Sequence, residues 1–223
     1  MFDQKPLDHH IQKHIVGVLM HQKHARFRDM RPPKVDTNLY SYHLKLLQKN
    51  GFVDKTPDGY CLGVNGVVFV DRVNVKSLKV RTQPKIVTML VIQNSDGDVL
   101  LFKRKRQPFT DTWTLPYGKL HIDDNTIETA AQREAAEKLN LKAVSPQHAG
   151  ECYIRIRHEG EVIMSTLAHV FYLETDDITE TDRIKWARPH KLSQYDLAPA
   201  VEQIVARTFF RDPYFFEEYT ENW

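Results

Sequence analysis

The chain has 223 residues, 41% of them hydrophobic, with 31 Lys+Arg against 29 Asp+Glu, so it has the apolar material for a buried core and disorder is not expected. No apolar run reaches the roughly 20 residues of a membrane helix, and MFDQKPLDHH lacks the basic-then-apolar pattern of a secretory signal. Cys61 and Cys152 are too isolated for a metal cluster or a disulfide framework, so a cytoplasmic protein is expected, with no membrane partner.

Charge is uneven along the chain. Residues 1–80 carry 13 Lys+Arg against 7 Asp and no Glu, whereas the remainder carries 18 basic and 22 acidic residues. A basic half points to a polyanionic partner, double-stranded DNA first; an incidental surplus is the plainer alternative.

Ile11, Ile15, Val16, Val18 and Leu19 recur at helical spacing and predict a helix from Asp8 to Met20. Phe27 and Met30 continue the apolar pattern until Pro32-Pro33 stops it. Asp36 or Thr37 then caps a second helix, with Leu39, His43, Leu46 and Leu47 near one face and Asn50-Gly51 as its stop. Phe52-Val53 starts a strand, Thr56-Pro57-Asp58-Gly59 is a turn, and Tyr60-Cys61-Leu62 starts the return. Helix, turn, helix and hairpin make the outline of a winged helix.

Within SYHLKLLQKNGFV, the residues Ser41, His43, Leu44, Leu47, Gly51 and Phe52-Val53 fall in a familiar pattern. The segment resembles the recognition helix and first wing strand of the ArsR-type winged-helix family, and TPDGYCLGVNG resembles the wing that follows. The resemblance implies a DNA-binding-type domain over residues 1–80. Asn38, Ser41, Tyr42 and Lys45 lie off the apolar face and are the candidates for reading base edges. Lys34, Lys49 and Lys55 are candidate phosphate contacts. A dimerisation or docking module, with Lys45 and Lys49 merely solvated, is the alternative. His43 is expected to pack rather than bind metal, because no partner ligand sits at metal-site spacing.

Residues 73–83 are a linker or a last strand, and a second domain is expected over 84–223. KIVTMLVIQ is a continuous apolar run and predicts a buried strand. A turn at Asn94–Gly97 leads to a second strand, DVLLFKRK. A helix is predicted from about Thr126 to Leu139, with Asn125 as N-cap and Glu128 placed for a capping box. Long strands around 148–157 and 162–173, a short one near Ile184–Ala187 and a helix over Ala198–Phe209 complete an α+β pattern. The aromatic run TFFRDPYFFEEYTENW is expected to close a pocket, make a dimer contact or pack as a tail.

In GKLHIDDNTIETAAQREAAEKLNL, the residues Gly118, Arg133, Glu134, Glu137 and Leu141 fall where the Nudix box places its Gly, Arg-Glu, Glu and final apolar residue. WTLPYG leads in, and KWARPHKL follows later. The chain resembles the Nudix superfamily over roughly 84–210, which implies a mixed β-sheet sandwiched by helices. Joined to a winged helix, it also resembles the Nudix-related transcription regulators, which sense an ADP-ribose-type metabolite. In that family the winged helix follows the Nudix domain; here it precedes it.

The resemblance implies that Glu134 and Glu137 are metal ligands and catalytic groups. Acids at helical spacing share a face and hold Mg²⁺ or Mn²⁺, which neutralises a diphosphate and activates water. Gly118, Arg133, Trp113 and Lys138 are the implied substrate-binding residues. Glu151, Glu159, Glu161 and Glu180 are further acids that a metal site would draw on. Lys103, Arg104, Lys105 and Arg106 either meet phosphates or form a solvated run.

The departures are specific. The last Glu of the box is Lys138, four residues after Glu134, so its ammonium is expected where the metal would sit. At an effective dielectric near 20, one pair of unit charges 4 Å apart is worth about 4 kcal/mol, so Mg²⁺ or Mn²⁺ is expected to be weak or absent. Gly118 and Arg133 are one residue further apart than the strict pattern, and the first Glu of the box becomes Asn125 or Asp124. Asn140 replaces the later Gly, and Tyr117 replaces the second Gly of Pro-Gly-Gly. The expected function is a homodimeric transcription regulator whose Nudix domain binds, or slowly hydrolyses, a nucleoside-diphosphate-linked metabolite. The alternative is an active metal-dependent Nudix hydrolase with the winged helix as accessory.

Overall fold

In the computed structural model, which describes residues 7–74, 77–80, 82–209 and 214–222, the chain divides into two compact units, Met1–Thr82 and Gln83–Trp223. The first contains α1 (His10–His21), α2 (Thr37–Lys49), β1 (Val53–Thr56), β2 (Gly59–Leu62) and α3 (Val64–Arg72). Asp36 caps α2 by accepting from the N–H groups of Asn38 and Leu39. Ile11, Ile15, Val16 and Leu19 of α1 join Leu44 and Leu47 of α2 in one buried cluster. Tyr40, fully buried, completes the face of α2 that sequence periodicity gave to Leu39, which is 46% exposed. The Tyr40 hydroxyl donates to the Phe27 carbonyl at 2.8 Å, so the large ring is buried without an orphaned polar tip.

β1 and β2 pair as an antiparallel hairpin, and Ala25 adds a bridge to Tyr60. A Cβ at Gly59, where φ is +129°, would stand 2.6 Å from the Ala25 carbonyl oxygen, so the bridge needs glycine there. Helix, turn, helix and three-part wing make this unit a winged helix. α3 occupies a segment read from sequence as the end of the wing: its Gly66 and β-branched valines weaken the local helix signal, while Phe69 anchors it in the core. In the segment expected as a linker or strand, Val73 and Val80 make an isolated bridge, and residues 75, 76 and 81 lie outside the described residues.

The second unit holds β3 (Lys85–Gln93), β4 (Val99–Lys103), β5 (Trp113–Thr114), β6 (Tyr117–Lys119), α4 (Ile127–Leu139), β7 (Gln147–His158), β8 (Glu161–Glu174), β9 (Ile184–Ala187), α5 (Val201–Phe209) and β10 (Phe215–Asn222). The main path of the mixed sheet is β10-β7-β8-β3-β4-β5, with β6 also on β3 and β9 on β4. Strand β3 is a continuous apolar run because both its faces are covered. Leu90 and Ile92 meet Ala131, Ala135 and Leu139 of α4. Val87, Met89 and Val91 meet Val201, Ile204 and Val205 of α5. This is the helix-sheet-helix layering of the Nudix fold.

Two local expectations are corrected, and one of the alternatives for the C-terminal run is narrowed. α4 is capped by Thr126, not Asn125, and the capping box closes through Thr129, not Glu128. The β-branched Thr129 hydroxyl accepts from the Thr126 N–H at 2.9 Å, a shorter reach than a glutamate would make. The C-terminal run contributes an edge strand, β10, parallel to β7, with Phe215 buried; residues 210–213 and 223 lie outside the described residues. The strand is anchored because a parallel partner far away in sequence supplies its ladder, which local patterning does not reveal. The β7–β8 ladder also shifts register between His148 and Gly150, so Ala149 is one residue extra. Among the described residues, no helix is long and apolar enough to cross a membrane.

Candidate functional site

The site is built where β6 passes under α4. Gly118 has no side chain, and that space is taken by Glu134: a Cβ at Gly118 would lie 1.7 Å from the Glu134 carboxyl carbon. Glu134 is only 4% exposed. A carboxylate this deep needs partners, and it has two. Arg133 Nη1 donates to Oε1 at 2.7 Å, and Lys138 Nζ donates to Oε2 at 2.5 Å. The same Lys138 ammonium donates to the Tyr117 carbonyl and lies 5.5 Å from the centre of the Tyr117 ring.

Arg133 ties the preceding loop to the helix. Its Nε and Nη2 donate to Asp124 at 3.0 and 2.9 Å, and Nη2 also donates to the Lys119 carbonyl at 3.1 Å. Each guanidinium nitrogen is therefore engaged within the chain. Arg133, expected to bind substrate, thus joins Glu134 and the loop through these bonds. Between Asn125 and Asp124, the acid that meets this arginine is Asp124. The Arg133 hydrogen bonds, with one from the His121 N–H, hold the Asp124 carboxyl down at about 2. Asn140 adopts the left-handed conformation at φ 57° that closes α4, as the family's glycine would.

A divalent cation at this place needs several free oxygens. Both oxygens of Glu134 are committed to cations, and the Tyr117 carbonyl is committed to Lys138. Glu137 has its side chain 61% exposed and an oxygen 3.8 Å from Arg133. The donor set as arranged does not fit Mg²⁺ or Mn²⁺.

Beside it opens a cleft of about 510 Å³. Arg104, Lys105, Arg106, Lys119, Lys138 and Arg183 line it, with Glu137 as the one acid among the lining residues. Arg104 stands 5.2 Å from the Tyr117 ring centre and Arg183 stands 4.7 Å from that of Phe102. Aromatic faces thus hold guanidinium groups at the cleft wall. The basic run around Arg104, which sequence left as either solvated or phosphate-facing, faces the cleft. Lys119 and Arg183 were not singled out from sequence. Arg183 arrives from the loop before β9, 79 positions from Arg104, and no local signal connects them.

Trp113 does not line this cleft. Its ring packs edge-on to Tyr195 at 6.3 Å, beside Lys103 at 5.7 Å, and its backbone N–H donates to the Asp196 carbonyl. In the first unit, Asn38, Tyr42 and Lys45 are exposed on α2 with Ser41 half-buried beside them, and Lys55 is exposed on β1. His43 is buried and stacked on His9 at 3.8 Å. Burial, then the neighbouring His9 and His10, pushes His43 below the usual imidazole range.

Residues 83–208 match the family model for the NUDIX domain. The MutT protein from Methanosarcina mazei Go1 aligns at TM-score 0.48 and 20% identity, over 59% of this chain and 97% of its own. The NUDIX domain of Shewanella oneidensis NrtR, solved with ADP ribose, aligns at TM-score 0.47 and 20% identity over 65% of this chain and 97% of its own. NrtR solved with a 27mer DNA aligns at TM-score 0.43 and 20% identity over 56% of this chain and 61% of its own. The family match spans more than half of the 223 residues, and the chain belongs to the NUDIX domain family.

Proposed function

We propose that the chain is a transcription regulator whose Nudix domain binds a nucleoside-diphosphate-linked metabolite through its own cations rather than through a metal. The observation that carries this is Lys138, whose ammonium is held by Glu134 and the Tyr117 carbonyl beside a cleft lined by five other basic side chains. A diphosphate brings the charge that such a cleft lacks. Arginines give it forked donors and lysines give it point charges. Hydrolysis is not supported by the same site, because Glu134 is saturated by Arg133 and Lys138, which leaves the exposed Glu137 as the one carboxylate lining the cleft.

The winged helix supplies the second half of the reading. The exposure of Asn38, Tyr42 and Lys45 on α2, with Ser41 half-buried beside them, supports their reading base edges, and the exposure of Lys55 on the wing supports a phosphate contact. Two copies reading a two-fold operator give the homodimer. Ligand binding would alter DNA affinity, and by linkage DNA would alter ligand affinity by the same factor.

Calorimetric titration with ADP-ribose, in chelator and then with Mg²⁺ or Mn²⁺, tests the reading, with product analysis on the same samples. Equal affinity with and without metal and no turnover are expected. Metal-dependent turnover that Glu134→Gln abolishes would overturn it in favour of the hydrolase. Labelled duplex from the region upstream of the chain's own gene tests the DNA half, and a sequence preference persisting across salt is expected.

A further inference from the structure

We infer that His148, Glu151 and His169 form a second, separate cation site of the zinc class on strands β7 and β8. One ligand atom from each of the three lies within 4.8 Å of the other two. The backbone explains how they meet. Glu151 lies directly across from His169 in the β7–β8 ladder, so the two share a face. His148, three positions before Glu151, would point to the opposite face in a regular strand. The extra residue at Ala149 brings it back to the same side.

The chemistry of the set favours a metal over a plain ion pair. His169 is 8% exposed, and its Nδ1 is a buried atom with no aligned hydrogen-bond partner, although Glu151 Oε1 stands 2.9 Å away. Two polar atoms close together but not aligned on each other are suited to converge on a third. The Tyr214 ring stands edge-on to His148 at 5.4 Å, and burial, then the neighbouring Glu151 carboxylate, pushes its phenol up. The His148 ring is stacked at 4.8 Å on Phe171, which supports it while leaving it exposed. Two imidazoles and one carboxylate suit Zn²⁺ better than Mg²⁺, which prefers an all-oxygen octahedron. Zinc bonds of ~2.0–2.1 Å place tetrahedral donors about 3.4 Å apart, so side-chain rotations of about an ångström close the set. Three protein donors leave a fourth position for water or a ligand oxygen.

The place of the site on the sheet gives it further meaning. Gly118 pairs with Thr88, and Thr88 pairs with His169. The zinc site therefore lies on the α4 face, two strand spacings or about 10 Å from the seat of Glu134. Thr88 between them is fully buried, and its hydroxyl has no hydrogen-bond partner.

The test is a titration of the full chain, freed of metal by chelator, with Co²⁺ and then Zn²⁺. One equivalent of Co²⁺ is expected to give the visible band of a four-coordinate site, displaced one-for-one by Zn²⁺ and not by Mg²⁺. Because His169 is in the core, the variants are His148→Ala and Glu151→Gln, with intact folding checked by circular dichroism. Each should weaken Zn²⁺ binding roughly 100-fold, whereas His9→Ala with His10→Ala should leave it unchanged. No saturable binding, or one equivalent retained in both site variants, would overturn the inference. Either result stands apart from ADP-ribose binding, which is measured in chelator.

Discussion

Glu134 and Glu151 stand on the same face of one sheet, the first reaching down from α4 and the second rising from β7. Glu134 has a cation on each oxygen, Arg133 at 2.7 Å and Lys138 at 2.5 Å. Glu151 has an imidazole at 2.9 Å that is not aligned with it, and a phenol behind it. The first carboxylate lies in the sequence motif where a metal is looked for, and its capacity is spent inside the chain. The second lies in no motif and keeps capacity. An acid's ability to hold a cation is therefore decided by what else its oxygens are committed to, which the residue type alone does not reveal.

The largest expected effect tests how firmly the first cluster is held. Gly118→Ala places a methyl group where the Glu134 carboxyl sits. The buried ion pairs must then break, and urea unfolding should show a loss of about 3–5 kcal/mol. A loss under about 1 kcal/mol would mean that Glu134 moves aside freely, and the contrast with Glu151 would weaken.

Next is Lys138→Glu, which exchanges the internal cation for the acid the family pattern expects. Mg²⁺ or Mn²⁺ binding should appear by calorimetry, and ADP-ribose affinity measured in chelator should fall at least about tenfold, or ~1.4 kcal/mol. If metal still does not bind, the exposed Glu137 is what the site lacks.

A smaller effect separates the two units of the chain. Lys45→Ala and Lys55→Ala should each lower the salt-dependence slope of DNA affinity by roughly 1 while leaving ADP-ribose affinity unchanged. An unchanged slope would return these lysines to the solvated surface.

The smallest is a pH effect. The Asp124 carboxyl is held at about 2, below its ordinary 3.8. Its contribution to stability is complete above the ordinary value and is lost as pH falls through about 2. Melting temperature measured between neutral pH and strong acid should therefore drop less steeply on the acid side in Asp124→Asn than in the parent chain.

The fold was largely legible where periodicity and caps coincide. The two helices of the winged helix, its hairpin, β3 and α4 follow from apolar spacing with Asp36, Gly59 and Asn140 at their ends. What was not legible depended on distant partners. β10 forms because β7 offers it a parallel edge, and α3 forms because Phe69 finds a core pocket despite Gly66. In the site, the Glu134–Lys138 pairing could be read at i+4, while the seat that Gly118 makes for Glu134 could not. Arg133 was readable as part of the box, but its role as a strap to Asp124 needed the loop's path. The basic cleft was half-readable as the run from Lys103 to Arg106; Lys119 and Arg183 join it only in space. Glu151 was among the acids a metal site would draw on, but its grouping with His148 and His169 was not legible, because regular alternation separates it from His148.

That alternation makes Ala149 an unusual residue to lose. Its side chain takes no part in the cation set and packs against the core on the other face of the sheet. Deleting it would restore an even ladder with His148 two positions before Glu151, still across from Phe171 and on the same face of the sheet. Loss of that single codon would thus straighten the strand and still leave all three ligand residues on one face, so the cluster tolerates the even ladder as well as the bulged one.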